Sequence, residues 1–458
     1  MMKKLYFLIS VFLLMFVPIS AFADWTSYPN DFVTTWKTSD GKITLNFQKS
    51  DGPTDYYLIS WYCDGNYEVG FYAKTGYDYG TSWIYDVCIQ SPLTPLAFYA
   101  PGLTTDEKSK LQEIKQWWNI KWSSFNSAFK DMTNVQLTAT GVPDLSLVTD
   151  MSSAFQGATN FIGHASMNNW DTSNVINMSR VFRSAKKFNA PIGWWKTQNV
   201  TDMSEMFSEA HLFNQDISNW NLGKVTTVRD MFSSALKFNN GEVAGASGKS
   251  LPWNTEHVKD FFGIFRSAVS FNQPVGSWNT SSGTNMERMF DRAHRFNQPL
   301  QNWDTSNVTT MLAMFQMAYA FNQDLSHFNT QNVKDMNSMF WSASKFNQDI
   351  SSWNISNVKT FRNLLELTSF SMENYEKLLT GWSTQTVQSN VPLGAQGISY
   401  CSVVAQTARN KLVNSPNYWI ITDSGSVCPP ANITLSNTFV DEETTYVGQF
   451  TGMDDNLP

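Results

Sequence analysis

Charge is scarce in this chain. Asp, Glu, Lys and Arg make up only 16% of its 458 residues, against roughly 25% in an ordinary soluble domain. There is no run of Lys or Arg, and the net charge is −7 with a pI near 5.3. Nucleic acid is therefore not an expected partner. After Val17 no stretch approaches the roughly 20 apolar residues a membrane helix needs, so no transmembrane segment is expected. Cysteine is confined to the flanks, at Cys63, Cys88, Cys401 and Cys428. Cys-x-x-Cys and mixed Cys/His zinc spacings are missing. So are Gly-x-Ser-x-Gly, the phosphate-binding loop and His-Glu-x-x-His. Carboxylates such as Asp230 and Asp260 stand at isolated repeat positions, not in a local acid/base cluster. The expectation is a protein that is not an enzyme.

What the chain has in quantity is aromatic side chains, 15% in all, with 18 Trp and 33 Phe. The length suggests about three structural units. Residues 1–23 read as a secretory signal peptide: Lys3 and Lys4, an apolar run from Leu5 to Val17, then Ala21-Phe22-Ala23. Cleavage before Asp24 removes both lysines and takes the net charge from −7 to −9. No Cys follows the cleavage site to carry a lipid. Four cysteines allow three pairings. The local one, Cys63–Cys88 with Cys401–Cys428, is favoured because the middle of the chain has none, and free thiols are disfavoured in an oxidising compartment.

The middle is repetitive. Aligning Phe155, Phe182, Phe207, Phe232, Phe265, Phe290, Phe315 and Phe340 gives gaps of 27, 25, 25, 33, 25, 25 and 25. Six residues after each anchor stands another Phe, from Phe161 to Phe346. Twelve before stand Trp170, Trp195, Trp220, Trp253, Trp278 and Trp303, then Phe328, with Trp353 opening a further repeat. Five after the Trp is a Val, broken only by Gly283, and four before the anchor is usually Met. A period near 25 over eight copies is the mark of a repeat array, with a weaker register upstream from about Leu111.

Inside one repeat, Val308, Met311, Phe315 and Ala318 step by three, four and three, the spacing of a short helix face. Asp304-Thr305-Ser306-Asn307 before them are good N-cap residues, and Phe321 to Phe328 after them read as extended. The expected fold is an α/β repeat solenoid, a short strand plus a short helix per coil. Its strands would lie about 4.8 Å apart over roughly nine or ten coils. Single coils are not self-sufficient. About seven buried apolar side chains at roughly 2 kcal/mol each do not offset the ordering of a whole repeat at roughly 1–2 kcal/mol per residue, so neighbours and end caps are required.

The polar columns read as structural. The Asn column from Asn189 to Asn347 suits bonding to main chain of the adjacent repeat, and the Thr column (Thr172, Thr197, Thr255, Thr280, Thr305, Thr330) suits helix capping. The five His residues occupy unrelated slots and read as scattered surface positions. The extra residues between Asn239 and Pro252 read as a solvated loop, with a binding face the alternative because insertions in repeats often map there.

Units such as WDTSNVTTMLAMFQMAYAFNQDLSHF resemble the repeat of BspA-like leucine-rich-repeat surface proteins of bacteria, over residues 111–365. The segment Phe32 to Thr38, with Trp61 and Asp64 to Glu68, is similar to the β-rich, polycystic-kidney-disease-like sandwich that often precedes these repeats. NYEKLLTGWS, YCSVVAQTARNKL and WIITDSGSVCP resemble the family's C-terminal cap, pinned by Cys401–Cys428. The stretch from Asn432 to Phe450 resembles the start of a cadherin-like domain, which implies Asp441, Glu442 and Glu443 as candidate calcium ligands and a chain that is a fragment of a longer protein. The organisation implied is signal peptide 1–23, β-rich module 24–105, repeats 106–365, cap 366–430 and cadherin-like or floppy tail 431–458. The function implied is a secreted or cell-surface adhesion protein that binds a protein or glycan without transforming it. The alternatives are a carbohydrate-active enzyme on the repeat scaffold, or a spacer in a larger adhesin.

Overall fold

The computed structural model describes residues 31–48, 56–64, 66–71, 74–90, 95–117 and 120–428. The expected signal peptide and the tail with Asp441 and Glu442 lie outside the described residues. The chain divides into two compact units, Met1–Val258 with Ile264–Gln273, and Lys259–Gly263 with Pro274–Pro458.

The first unit opens with short strands: β1 (Phe32–Lys37), β2 (Lys42–Gln48), β3 (Tyr56–Ser60), β4 (Glu68–Phe71), β5 (Lys74–Asp78), β6 (Ile84–Gln90) and β7 (Ala97–Phe98). Helix α1 (Thr105–Lys110), β8 (Leu111–Gln116) and β9 (Gln136–Leu137) follow. One sheet runs β4-β3-β6-β1-β8-β9 and a smaller one runs β5-β2-β7. The residues FVTTWK of β1 are nearly all buried because this strand pairs on both edges, with β6 and with β8. Its threonines keep partners there: Thr35 Oγ1 donates to Asp86 Oδ1 at 2.6 Å. β8 then pairs in parallel with β9, Glu113 opposite Gln136, which is where sheet pairing gives way to repeat-to-repeat pairing. Cys63 and Cys88 form a disulfide packed against Val33, with all three residues buried.

The repeats are held by main chain. In the first unit the amides of Met178, Arg180, Phe182 and Ser184 donate to the carbonyls of Asp202, Ser204, Met206 and Ser208 at 2.7–3.0 Å. In the second unit Met311, Ala313, Phe315 and Met317 donate to Asp335, Asn337, Met339 and Trp341 at 2.8–3.0 Å. Isolated parallel bridges recur in step, Asn177 with Asp202 and Thr310 with Asp335 among them. The intervening amides close tight turns inside the repeat, as Ala185 to Phe182 does at 3.0 Å. Two residues before and two after each anchor Phe, the main chain is left-handed: Arg180 and Ser184 have φ of 58° and 57°, and Ala313 and Met317 have 53° and 54°. Each such non-glycine residue costs about 1–2 kcal/mol, offset by hydrogen bonds to the next repeat worth about 1 kcal/mol each.

This geometry overturns the α/β repeat solenoid. Among the described residues there are three α-helices, α1, α2 (Met372–Ser383) and α3 (Val403–Val413), and none lies between residues 111 and 365. The rest is several separate sheets, isolated bridges and turns, so the architecture is mostly β. An α-helix spends every interior amide on its own carbonyl four residues back. Here every second amide is donated to the neighbouring repeat, and a left-handed residue recurs every fourth position, so the three-four-three spacing builds successive turns instead.

The aromatic columns fill the space between repeats. In the first unit Phe155, Phe182, Phe207, Phe232 and Phe265 stack with centroids 5.4–5.7 Å apart. In the second, Phe290, Phe315 and Phe340 do so at 5.6 and 5.8 Å. Each anchor also stacks on the Phe six residues later, as Phe182 does on Phe188 at 3.7 Å. Trp170, Trp195, Trp220, Trp253, Trp278, Trp303 and Trp353 are all buried beside them. The break at Gly283 has a local cause. Phe261 stands in the slot that usually holds Met, and a Cβ at Gly283 would lie 3.1 Å from its ring.

The second unit ends in α2 and α3, with β10 (Pro392–Gly394) parallel to β11 (Ile420–Thr422). Ser371 and Ser402 cap the two helices through Asn374 and Ala405 amides. Phe361 stacks on Trp382 at 4.6 Å, covering the last repeat. Arg409 makes a two-point pair with Asp423, Nε to Oδ2 at 2.8 Å and Nη2 to Oδ1 at 3.0 Å, and Tyr375 donates to the same carboxylate. Burial, then the Asp423 charge, pushes the Tyr375 phenol well above its ordinary value. The second disulfide is Cys401–Cys428.

Two outcomes follow from this packing. Gly283→Val overpacks against Phe261 and costs about 1–3 kcal/mol in denaturant melts, and the double variant Phe261→Met/Gly283→Val recovers most of the loss. Under mild reductant with alkylation and peptide mass spectrometry, Cys428, which is exposed, labels together with Cys401 well before the buried pair Cys63 and Cys88.

Candidate interaction surface

The positions that keep their identity from repeat to repeat are occupied by internal work. Asn189 Oδ1 accepts the Asn214 amide, Asn214 Oδ1 accepts the Asn239 amide and Asn239 Oδ1 accepts the Asn272 amide, each at 2.8 Å. In the second unit Asn297, Asn322 and Asn347 pass the same bond to Asn322, Asn347 and Ser371. The side chains of Gln215 and Gln348 reinforce the ladder from the adjacent position. The Thr column does not cap helices. Thr197 Oγ1 donates to the Asn221 carbonyl at 2.9 Å and accepts the Asn221 amide at 2.8 Å, so one hydroxyl clamps the next repeat. Thr172 does the same to Lys196, and Thr280, Thr305 and Thr330 donate in the same way. Asp304 forms a local turn, accepting the Ser306 amide at 2.9 Å.

The Trp column carries a second ladder that the spacing alone did not announce. Trp195, Trp220, Trp303 and Trp353 each donate Nε1–H to the carbonyl 28 residues earlier, at 2.7–3.1 Å. Phe328 in that slot has no donor, and the carbonyl it would have served belongs to Leu300. His327 Nε2 meets that carbonyl at 3.0 Å, with its ring edge-on to Phe328 at 5.1 Å. His327 is exposed, as a surface histidine, yet its ring stands in for the missing indole at this carbonyl. The signal was present, a His beside the one Phe in a Trp column. His164 is also structural: its Nδ1 accepts the Ser166 amide at 3.1 Å at a short turn.

The changing positions carry much of the charge, some of them exposed, as Arg180 is, and some buried, as Asp291 is. Two residues before the anchor stand Arg180, Glu205 and Asp230 in the first unit. Arg180 and Arg183 both pair with Glu205, at 2.8 and 2.7 Å. Burial raises the Asp230 carboxyl above its ordinary value, against the opposing pull of Arg266, whose Nη1 lies 4.0 Å away. In the second unit Arg288 lies beside Glu287 at 3.4 Å and Arg292 beside Asp291 at 3.6 Å. His294 stacks on Tyr319 at 4.6 Å, and burial, with the nearby Arg292 charge, lowers its pKa. Four and five residues after the anchor the column reads Lys186-Lys187, His211-Leu212 and Leu236-Lys237 in the first unit.

The insertion after Asn239 is an ordered part of the first unit. Asn239 Nδ2 donates to the carbonyls of Val243 and Ala246, Gln273 Nε2 donates to Ala246 at 2.7 Å, and the Lys249 amide returns to Gln273 Oε1 at 2.8 Å. Lys249 pairs with Asp216 and Glu242. The loop therefore holds Val243, 77% exposed, in a fixed place.

The β-rich module presents a group of tyrosines. Tyr79 stacks on Tyr85 at 3.6 Å and meets Tyr62 and Tyr77 edge-on at 5.1 and 4.7 Å. Burial first, then hydrogen bonding with Tyr77, pushes the Tyr62 phenol up to about 12.

No group of three or more His, Cys, Asp or Glu able to hold a metal occurs among the described residues. Asp230 and Asp260 belong to different units, and Asp260 accepts the Phe262 amide at 3.0 Å. No helix among the described residues is long and apolar enough to cross a membrane.

The substitution at Phe328 is open to a direct check. His327→Ala removes one of two donors to the Leu300 carbonyl, which keeps the Trp303 amide at 3.0 Å, and costs about 0.5–1.5 kcal/mol by thermal or denaturant melt. His327→Ala/Phe328→Trp regains most of that loss, because an indole restores the donor used elsewhere in the column; simple additivity of the two changes would contradict this role for His327.

No curated protein and no solved structure matches the chain. Three tandem segments, residues 123–245, 247–311 and 300–393, match the family described as "Mycoplasma protein of unknown function, DUF285". Together they cover more than half of the chain, and this repeat protein with two disulfides belongs to the DUF285 family.

Proposed function

We propose that this is an exported, surface-displayed interaction protein that binds a protein or glycan on another cell and performs no chemistry on it. The observation that carries the reading is the division of labour along each repeat. Phe, Trp, Asn and Thr positions that hold their identity are buried or bonded to the next repeat, while exposed neighbours change in charge, size and polarity. A scaffold of constant residues bearing variable exposed ones suits recognition. Two disulfides suit an oxidising compartment, in keeping with the expected signal peptide. The resemblance to BspA-like surface proteins supports adhesion as the use of that surface, and the candidate calcium ligands Asp441 and Glu442 belong to the same proposal.

The test is a pull-down with the chain beginning at Asp24 against host-surface and bacterial-surface extracts, followed by equilibrium binding to whatever is captured. The expected result is saturable binding with the captured ligand recovered intact. Incubation with a panel of polysaccharides separates this from catalysis: release of shortened products would overturn the reading.

A further inference from the structure

Several charged residues of the first unit pair with one another, Arg180 and Arg183 with Glu205 and Lys249 with Asp216 among them. Lys186, Lys187 and Lys237 are exposed, and no ion pair forms at any of them among the described residues. Glu209 accepts from Ser184 Oγ at 2.9 Å, and Asp216 and Glu242 are paired with Lys249. The chain as a whole carries −7, so an unneutralised cluster of cations is a local reversal of its character.

These lysines share one edge with exposed apolar side chains, and main-chain bonds fix the edge. The Leu212 amide donates to the Lys186 carbonyl at 3.2 Å, and the Lys237 amide to the His211 carbonyl at 3.1 Å. Ser270 Oγ donates to the Leu236 carbonyl at 2.7 Å, and the Gly245 amide to the Ser270 carbonyl at 2.9 Å. The insertion is thereby tied beside the column, with Asn214 Nδ2 on the Glu242 carbonyl at 2.9 Å. Leu212, Leu236 and Val243 are all exposed along this strip. An apolar centre with a charged rim is the arrangement of a protein-binding surface, and a main chain already held there avoids part of the ordering cost of binding.

We propose that the edge formed by Lys186, Lys187, Leu212, Leu236, Lys237 and Val243 binds an acidic polypeptide segment that also carries a large apolar side chain. The cations supply charge complementarity and steer encounter. The three apolar residues favour a polypeptide over a sulfated polysaccharide, which has charge but no apolar side chain to seat. The proposal rests on the binding reading above and names the site and ligand class.

The experiment presents the chain from Asp24 with arrays of short synthetic peptides varying in Asp/Glu and Leu/Phe content, with sulfated and neutral dextran as parallel arms. Capture should concentrate on acidic peptides bearing Leu or Phe, and should weaken as salt shortens the screening length from about 8 Å toward about 3 Å. Lys186→Glu/Lys187→Glu/Lys237→Glu should weaken the best peptide by at least about tenfold, and Val243→Ser should weaken it at unchanged melting temperature. If the triple variant melts earlier, single Lys→Ala changes are compared instead, and effects all below about twofold overturn the proposal. Equal capture of sulfated dextran, or no enrichment of acidic peptides, also overturns it. A natural ligand whose affinity is untouched by these variants removes this site and leaves the binding reading standing.

Discussion

Everything in the repeats depends on where alternate main-chain amides go. A short repeat cannot bury enough apolar area to order itself, and its amides cannot be left unbonded in the interior. The solution in each unit is to pass every second amide to the repeat that follows, in register, and to close the others in tight local turns. Left-handed residues on both sides of the anchor Phe are the conformational consequence. Side chains then reinforce the register at three further places: the Asn ladder, the Thr clamp and the Trp donor. Aromatic rings occupy the volume between. No single repeat can satisfy these bonds alone, so the period of the sequence and the period of the hydrogen bonding are the same constraint.

That explains what was legible and what was not. The columns of Phe and Trp could be read from spacing, because burial selects residue type at fixed intervals and every anchor Phe is indeed buried. The helix could not be rejected from spacing, because three-four-three apolar steps are common to a helix face and to this run of turns. What decides between them is the destination of the amides, which is set by a neighbour 24 to 26 residues away, or 32 across the insertion. The residues at the left-handed positions gave little warning, since Arg, Glu, Ser, Ala and Met all occur there. Thr before a Ser-Asn pair looks like a cap locally, and only the next repeat shows it to be a clamp. Departures from the pattern were the most informative positions. Gly283 answers to Phe261, and His327 answers to Phe328, each pair keeping volume or bonding constant while changing both partners.

The same accounting separates scaffold from surface. A residue that must serve the next repeat cannot also be free to recognise a ligand. The Asn, Thr and Trp side chains that bond a neighbouring repeat are committed there, which removes them as ligand ladders even though their regular spacing invites that idea. What remains are positions whose side chains leave the repeat edge after the main chain has been satisfied. These can change without disturbing the register, and in this chain they do, from paired arginine and glutamate at one level to unpaired lysines and exposed leucines at another.

The insertion shows how far that freedom extends. Eight extra residues in one repeat would disrupt an array held only by ring stacking, because the chain must return to the next anchor in register. Here Phe232 and Phe265 still stack at 5.7 Å despite the longer path. The detour is absorbed by Asn239, Asn240 and Gln273, whose side chains bond the loop's main chain as the ladder elsewhere bonds the next repeat. A loop needed only as a spacer requires no such bonding and could be left solvated. Three buried amide side chains holding one exposed valine in place is the arrangement expected of a surface whose shape has to be kept.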